Sequence, residues 1–218
     1  MSFYYFLQEV FSESSALRFG DNNSVVDFMA KIEAFDDYTC LSGHIPYRYF
    51  ADRGCHLDRF TIAFIRDPVE REQSGYGNIV KHSYDDHSSI NIDDPHLYWE
   101  KWANDPELHN MQCSYFSEDR LSATSIKNIL NSHICVFDVE DMPVVADIIK
   151  TFARVEYMPR ITNSSDRKDF VTSEADLSLI KKICSEDENL FSWVRQNSNY
   201  FLALLRTEIW RSYLIKNI

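Results

Sequence analysis

The segment that most limits the fold runs from Phe60 to Tyr76, FTIAFIRDPVEREQSGY. Phe60 to Ile65 is an apolar, β-branched run of the kind that forms a strand buried on both faces of a parallel sheet. The chain then turns at once. Asp67 stands where a helix cap belongs, Pro68 at the first helical position and Glu70 at the third, which predicts a helix from Pro68 to about Val80. A second apolar run, His133 to Val139 (HICVFDV), precedes a predicted helix at 141–154. Strands that alternate with helices give an α/β fold: a parallel sheet flanked by helices, with these two strands parallel.

The rest of the chain fills in around this pair. Residues 2–12 read as a helix buried on most sides. Asn23 or Ser24 can cap a second helix, carrying Val26, Met29, Ala30 and Phe35 at helical spacing. Tyr38 to Leu41 reads as a short strand ending in Ser42-Gly43-His44, followed by a short helix closed near Gly54. Residues 82–95 and 159–171 are polar loops. Helices are predicted over 96–103, 106–117, 123–131, 173–184 and 187–215. Trp193, Phe201, Leu204, Leu205 and Ile209 share one face of the last helix, which serves either as core or as the seam of a homodimer. No repeat or Pro/Gly/Ser linker divides the sequence, so residues 1–218 are read as a single domain.

Composition removes several function classes. The 218 residues are 44% hydrophobic and 26% charged, enough to bury a core. Twenty-two basic against 34 acidic residues leave a net charge of −12, a field that repels nucleic acid and anionic membrane. Five glycines are about 2% of the chain, against a usual ~7%. Neither a Walker-type loop nor a G-x-G-x-x-G fingerprint is present, which excludes P-loop NTPases and conventional Rossmann dehydrogenases. No run approaches the roughly 18 apolar residues of a membrane span, and no basic stretch precedes an apolar one at the N-terminus. The five cysteines are scattered without C-x-x-C spacing, a pattern of reduced thiols that points to the cytoplasm. Two N-x-S sequons, at Asn22 and Asn163, are read as chance matches.

The chemistry concentrates where the first buried strand meets its helix. Open α/β sheets bind ligands at that position, and a helix N-terminus favours an anion. Arg66 adds a bidentate donor for phosphate oxygens. Ser74 lies one face-repeat after Arg71 and reaches the same anion only if the ligand lies along the helix. The alternative is that Arg66 forms an internal ion pair and Asp67 is only a cap. Cys40, His44, Cys55 and His56 are not at zinc-finger spacing. His82, Asp85, Asp86 and His87 read as an exposed polar loop, so no metal is expected.

Arg-Asp-Pro-Val-Glu-Arg-x-x-Ser-x-Tyr after an apolar strand resembles the 3′-phosphate-binding motif of sulfotransferases dependent on 3′-phosphoadenosine-5′-phosphosulfate (PAPS). The likeness is nearest to the carbohydrate branch that includes heparan sulfate 2-O-sulfotransferases. The resemblance implies that Arg66 and Ser74 bind the 3′-phosphate. It implies that His44, in Ser42-Gly43-His44, is the catalytic base, and that Arg167 and Lys168 belong to a loop that the family often brings near that phosphate; taken by themselves, these two residues read as a solvated charge pair. Asn110-Met111-Gln112 is similar to the family's Asn-x-Gln helix. The order of the second strand, its helix and the Arg160–Asn163 loop also follows the family.

The expected function is sulfuryl transfer from PAPS, the co-substrate, to a hydroxyl of a carbohydrate or small acceptor. A histidine suits the base because it titrates near the working pH. The net charge argues against a long polyanionic acceptor. The family opens with a strand and a Lys-Thr-Gly-Gly-Thr-Ser-like loop that holds the 5′-phosphosulfate; here Met1-Ser2 match only the last two loop residues, which leaves Ser2 as the cofactor contact. The expectation is therefore either that Met1 is an internal codon of a longer gene, or that the chain is a non-catalytic relic used as a nucleotide-binding or interaction module.

Overall fold

The computed structural model describes residues 10, 16–18, 40–42, 46–51, 60–82, 94–153 and 172–216. Four short strands appear among them: β1 (Ala16–Arg18), β2 (Cys40–Ser42), β3 (Ile62–Ile65) and β4 (Cys135–Asp138). They form two parallel pairs, β1 with β2 and β3 with β4, the second in the register Ile62–Cys135 to Ile65–Asp138. The described helices are α1 (Tyr47–Ala51), α2 (Pro68–His82), α3 (Pro95–Ala103), α4 (Ser122–Asn131), α5 (Met142–Ala153), α6 (Glu174–Ile183), α7 (Ser185–Gln196) and α8 (Ser198–Lys216). The chain is thus mostly helical around small parallel pairs, compatible with the α/β class read from its pattern. Among the described residues no helix is long and apolar enough to cross a membrane.

The strand that the core closes over is β4. Cys135, Val136 and Phe137 are fully buried, whereas Ile62, Ala63 and Phe64 of β3 are only partly covered and Ile65 is buried. Full burial on both faces therefore holds for the second apolar run rather than the first. The Phe137 ring lies 6.1 Å from that of Phe64 and 6.2 Å from that of Phe201 on α8. Phe201, Leu205 and Ile209 point into this core with Val145 and Ile149 of α5 and Leu190 and Val194 of α7. Burying each such side chain contributes about 1.5–3 kcal/mol. Of the two uses open to the last helical face, core packing is the one observed.

A second cluster fixes α2. Tyr76 packs on Tyr98 at 4.9 Å and Trp99 at 5.7 Å, both on α3, and these pack with Ile180 and Ile183 of α6. Pro68, Glu72 and Tyr76 form the inward stripe of α2, at the spacing of one turn.

Several elements differ from expectation. Residues 106–117 are not one helix but two 3-10 turns, Pro106–Leu108 and Cys113–Tyr115. Asp105 caps the first, His109 is extended, and Asn110 adopts a left-handed φ of 50°, which a continuing helix cannot accommodate. The Asn-x-Gln segment is therefore a turn and not a helix. The predicted helix 187–215 begins at Ser185 and is broken at Asn197, whose Nδ2 donates to the Trp193 carbonyl at 2.8 Å. His133, with φ 52°, precedes β4 instead of joining it. Beyond Val10, which is helical and packs on the core, the helices expected over 2–12 and near 23–35 lie outside the described residues. So do the segment Gly43-His44, the helix end near Gly54, most of the polar loop 82–95 and, Asn163 included, the polar loop 159–171.

Candidate functional site at the end of strand β3

Arg66 is the first residue past the β3–β4 ladder, which ends at the Ile65–Asp138 pair. The start of α2 follows the capping pattern. Asp67 Oδ1 accepts the Glu70 N–H at 2.9 Å, and the Asp67 carbonyl accepts the Arg71 N–H at 2.9 Å. The third amide of the helix is thus satisfied by the chain's own carboxylate, which also sets a negative charge against the helix dipole. Pro68 has no N–H and the Glu70 N–H is taken by Asp67, so this helix start offers fewer free amides than the cradle expected of such a turn.

The Arg66 guanidinium lies along α2. Its Nη2 is 4.0 Å from Glu70 Oε2, with the side chains 33% and 50% exposed. At that separation and exposure the pair is worth only about 0.2–0.5 kcal/mol. The internal ion pair considered from sequence is present, but weak. Arg66 Nε is buried, and no acceptor among the described residues pairs with it. Glu70 and Ser74 are one turn apart and share a face. Guanidinium, Glu70 and Ser74 therefore follow one line along the helix, with about 9 Å of rise from Pro68 to Ser74. Ser74 is half-buried and faces away from the stripe of Pro68, Glu72 and Tyr76. The structure sets the Glu70 carboxylate beside the Arg66 guanidinium, with Ser74 one helical turn beyond Glu70.

The main chain of Arg66 is held from a distant part of the sequence. Gln112, buried, accepts the Arg66 N–H on Oε1 at 2.9 Å and donates from Nε2 to the Arg66 carbonyl at 2.9 Å. Gln112 is itself fixed: its N–H donates to Asp187 Oδ2 at 3.0 Å, and the Cys113 N–H donates to Asp187 Oδ1 at 2.7 Å. Asn110 docks the same turn on the α6–α7 junction, giving its N–H to the Ile183 carbonyl and accepting the Glu186 N–H on Oδ1, each at 2.9 Å.

Two buried carboxyls back the site. Burial pushes the Asp187 carboxyl up, opposed by the amides of Gln112 and Cys113 that bond it. Burial likewise raises Glu72, opposed by Arg71, which bonds it directly. Cys113, Cys135 and Cys184 are free, buried thiols, and burial raises the latter two to about 12, so none is a nucleophile near neutral pH.

Ser2, His44, Arg167 and Lys168 lie outside the described residues, as do, wholly or by their side chains, the metal-like groupings Cys40–His44–Cys55–His56 and His82–Asp85–Asp86–His87. The segment that carries Arg167 and Lys168 rejoins the described chain at Thr172, whose Oγ1 accepts from Gln73 Nε2 at 2.9 Å, beside Ser74. Three residues of the site escaped the sequence reading. In the sequence Glu70 signals only a helix start, and Gln112 stands out solely through its likeness to a helix motif. Asp187 carries no sequence signal, because an acidic residue in a first helical turn is common.

What the fold and site show is a mostly helical chain, compatible with the α/β class, with an arginine at a strand-to-helix junction flanked by the carboxylates of Asp67 and Glu70. No family model, curated protein or solved structure matches the chain.

Proposed function

We propose that the chain is a sulfotransferase-type domain that transfers a sulfuryl group from PAPS to a hydroxyl of a carbohydrate-like acceptor. The observation that carries the reading is Arg66: an arginine at the end of a parallel strand, its buried Nε without an acceptor among the described residues, close to Glu70, which stands one helical turn before Ser74. That donor set fits a phosphate monoester, which offers several oxygens to a guanidinium and a hydroxyl together. The motif likeness over residues 66–76 supplies the identity of the phosphate as the 3′-phosphate of the adenosine.

In this reading Arg66 and Ser74 hold the 3′-phosphate, and Ser2, Arg167 and Lys168 contribute further contacts to the nucleotide. The Gln73–Thr172 bond supports the last two, because it brings the end of their segment to the helix that bears Ser74. Bound PAPS supplies the sulfuryl group. His44 takes the proton of the acceptor hydroxyl as its oxygen bonds to sulfur and the bond from sulfur to the 5′-phosphate oxygen breaks, leaving adenosine 3′,5′-bisphosphate.

The test is calorimetry with adenosine 3′,5′-bisphosphate on the wild type, Arg66→Ala and Ser74→Ala, alongside sulfate transfer from labelled PAPS to a panel of sugars. Arg66→Ala should lose about 2–3 kcal/mol of binding, the scale of a charge-assisted contact. A wild type that does not bind the bisphosphate, or an Arg66→Ala protein that binds it equally, rejects the assignment.

A further inference from the structure

We propose that Gln112 is the positioning residue of the anion site, and that its side-chain amide serves as a substitute strand which sets the direction of the Arg66 side chain. The inference rests on the reading of Arg66 as the 3′-phosphate ligand and adds a residue that acts on it without touching the nucleotide.

The backbone pattern of β3 leads to this role. Thr61 gives its carbonyl to the Cys135 N–H at 2.9 Å, so the peptide groups of Thr61 face β4. Successive residues of a strand turn their N–H and C=O to opposite edges. Arg66, five positions on, therefore presents both groups to the edge away from β4. There the Gln112 amide meets them, Oε1 on the N–H and Nε2 on the C=O, at 2.9 Å each. Two opposed hydrogen bonds on one residue are what a neighbouring strand would provide. They fix both peptide planes that flank Arg66, and with them the direction of its Cα–Cβ bond.

An amide does this at any pH. An ionised carboxylate in the same place accepts the N–H but repels the carbonyl, and a thioether or an aliphatic side chain does neither. The support behind the amide is rigid. Gln112 is 5% exposed, its own N–H is held by Asp187, and Asn110 anchors the turn on Ile183 and Glu186. Gln112 is 46 residues from Arg66 in sequence, so the clamp exists only when the 110–113 turn is seated on the α6–α7 junction. An arginine that must meet a phosphate with two nitrogens tolerates little rotation, so the loss should fall on recognition of the 3′-phosphate in particular.

The experiment measures affinities for adenosine 3′,5′-bisphosphate and for adenosine 5′-monophosphate, which lacks the 3′-phosphate, well below each protein's Tm. Gln112→Met keeps the volume and loses both bonds, and Gln112→Leu does the same with a stiffer side chain, so one of them remains measurable if the other fails to fold. Ile149→Val trims the core on α5 and controls for general destabilisation. The ratio of the two affinities should fall on the order of tenfold in the Gln112 variants, with the monophosphate affinity and the Ile149→Val ratio unchanged. A wild-type ratio in a folded Gln112 variant, with only Tm lowered, overturns the positioning role while leaving the function standing. A wild type that does not discriminate the two nucleotides overturns the proposed function, and this inference with it.

Discussion

Asp187 holds two successive backbone amides on one carboxylate, Gln112 at 3.0 Å and Cys113 at 2.7 Å, and the residue is 1% exposed. It joins the first turn of α7 to the turn that reaches Arg66. Replacing it by alanine leaves two buried N–H groups without acceptors. Asp187→Ala should lower the unfolding free energy by about 3 kcal/mol, read from urea denaturation at unchanged m-value. A loss under about 1 kcal/mol would mean that water or another acceptor takes over the amides.

A second carboxylate couples stability to pH. His96 Nδ1 and Asp176 Oδ1 are 2.8 Å apart, linking the starts of α3 and α6. The bond to Asp176 raises His96 above its ordinary 6.5, with its slight burial opposing. Burial raises Asp176, but the bonds from Ser173 and His96 outweigh it and hold the carboxyl below 3.8. A histidine raised on folding stabilises fully below 6.5, and that contribution fades as pH climbs through the raised folded value. The aspartate contribution is present above 3.8 and fades as pH falls through the lowered folded value. His96→Ala should therefore cost most stability at about pH 5–6, with a gap from wild type that narrows toward about pH 9. Thermal melts that show a constant or widening gap across that range count against the pair.

Glu70 stands between Arg66 and Ser74 and competes with any anion for the guanidinium. Glu70→Gln removes that charge while keeping the shape. Its affinity for adenosine 3′,5′-bisphosphate should rise about threefold to tenfold at low ionic strength, and the gain should shrink with added salt. Calorimetry showing equal or weaker binding would break the line of three residues as a phosphate site.

His44 carries the proton step of the proposed reaction. His44→Ala should reduce turnover by roughly 10²–10⁴ while adenosine 3′,5′-bisphosphate binds as before. Equal turnover in the variant assigns the base to another residue, and parallel loss of nucleotide affinity assigns His44 to binding.

The site was legible in part because its two ends are local. Arg66, Asp67, Pro68 and Glu70 sit next to one another, and the rules that read a strand end and a helix start need only neighbours. The 106–117 segment failed the same rules for the opposite reason. Its helical spacing is real, but Asn110 enters the left-handed region and the Gln112 and Cys113 amides go to Asp187. A partner 75 residues away takes the N–H groups that the carbonyls of the preceding helical turn would have accepted. The break at Asn197 was hidden likewise, since an asparagine inside an apolar pattern reads as tolerated until its side chain is seen on the Trp193 carbonyl.

By itself, then, the sequence determined the parallel pair Ile62–Ile65 with Cys135–Asp138 and the capped start of α2. Those follow from side-chain period, capping chemistry and apolar runs, each acting over a few residues. The tertiary structure alone decided that Gln112 clamps the Arg66 peptide groups, that Asp187 supports Gln112, and that Glu70 faces the guanidinium. A polar side chain can satisfy any exposed N–H or C=O of the right geometry. Which one it meets is settled when α2, α6 and α7 pack and the cost of leaving a buried group unpaired selects the arrangement.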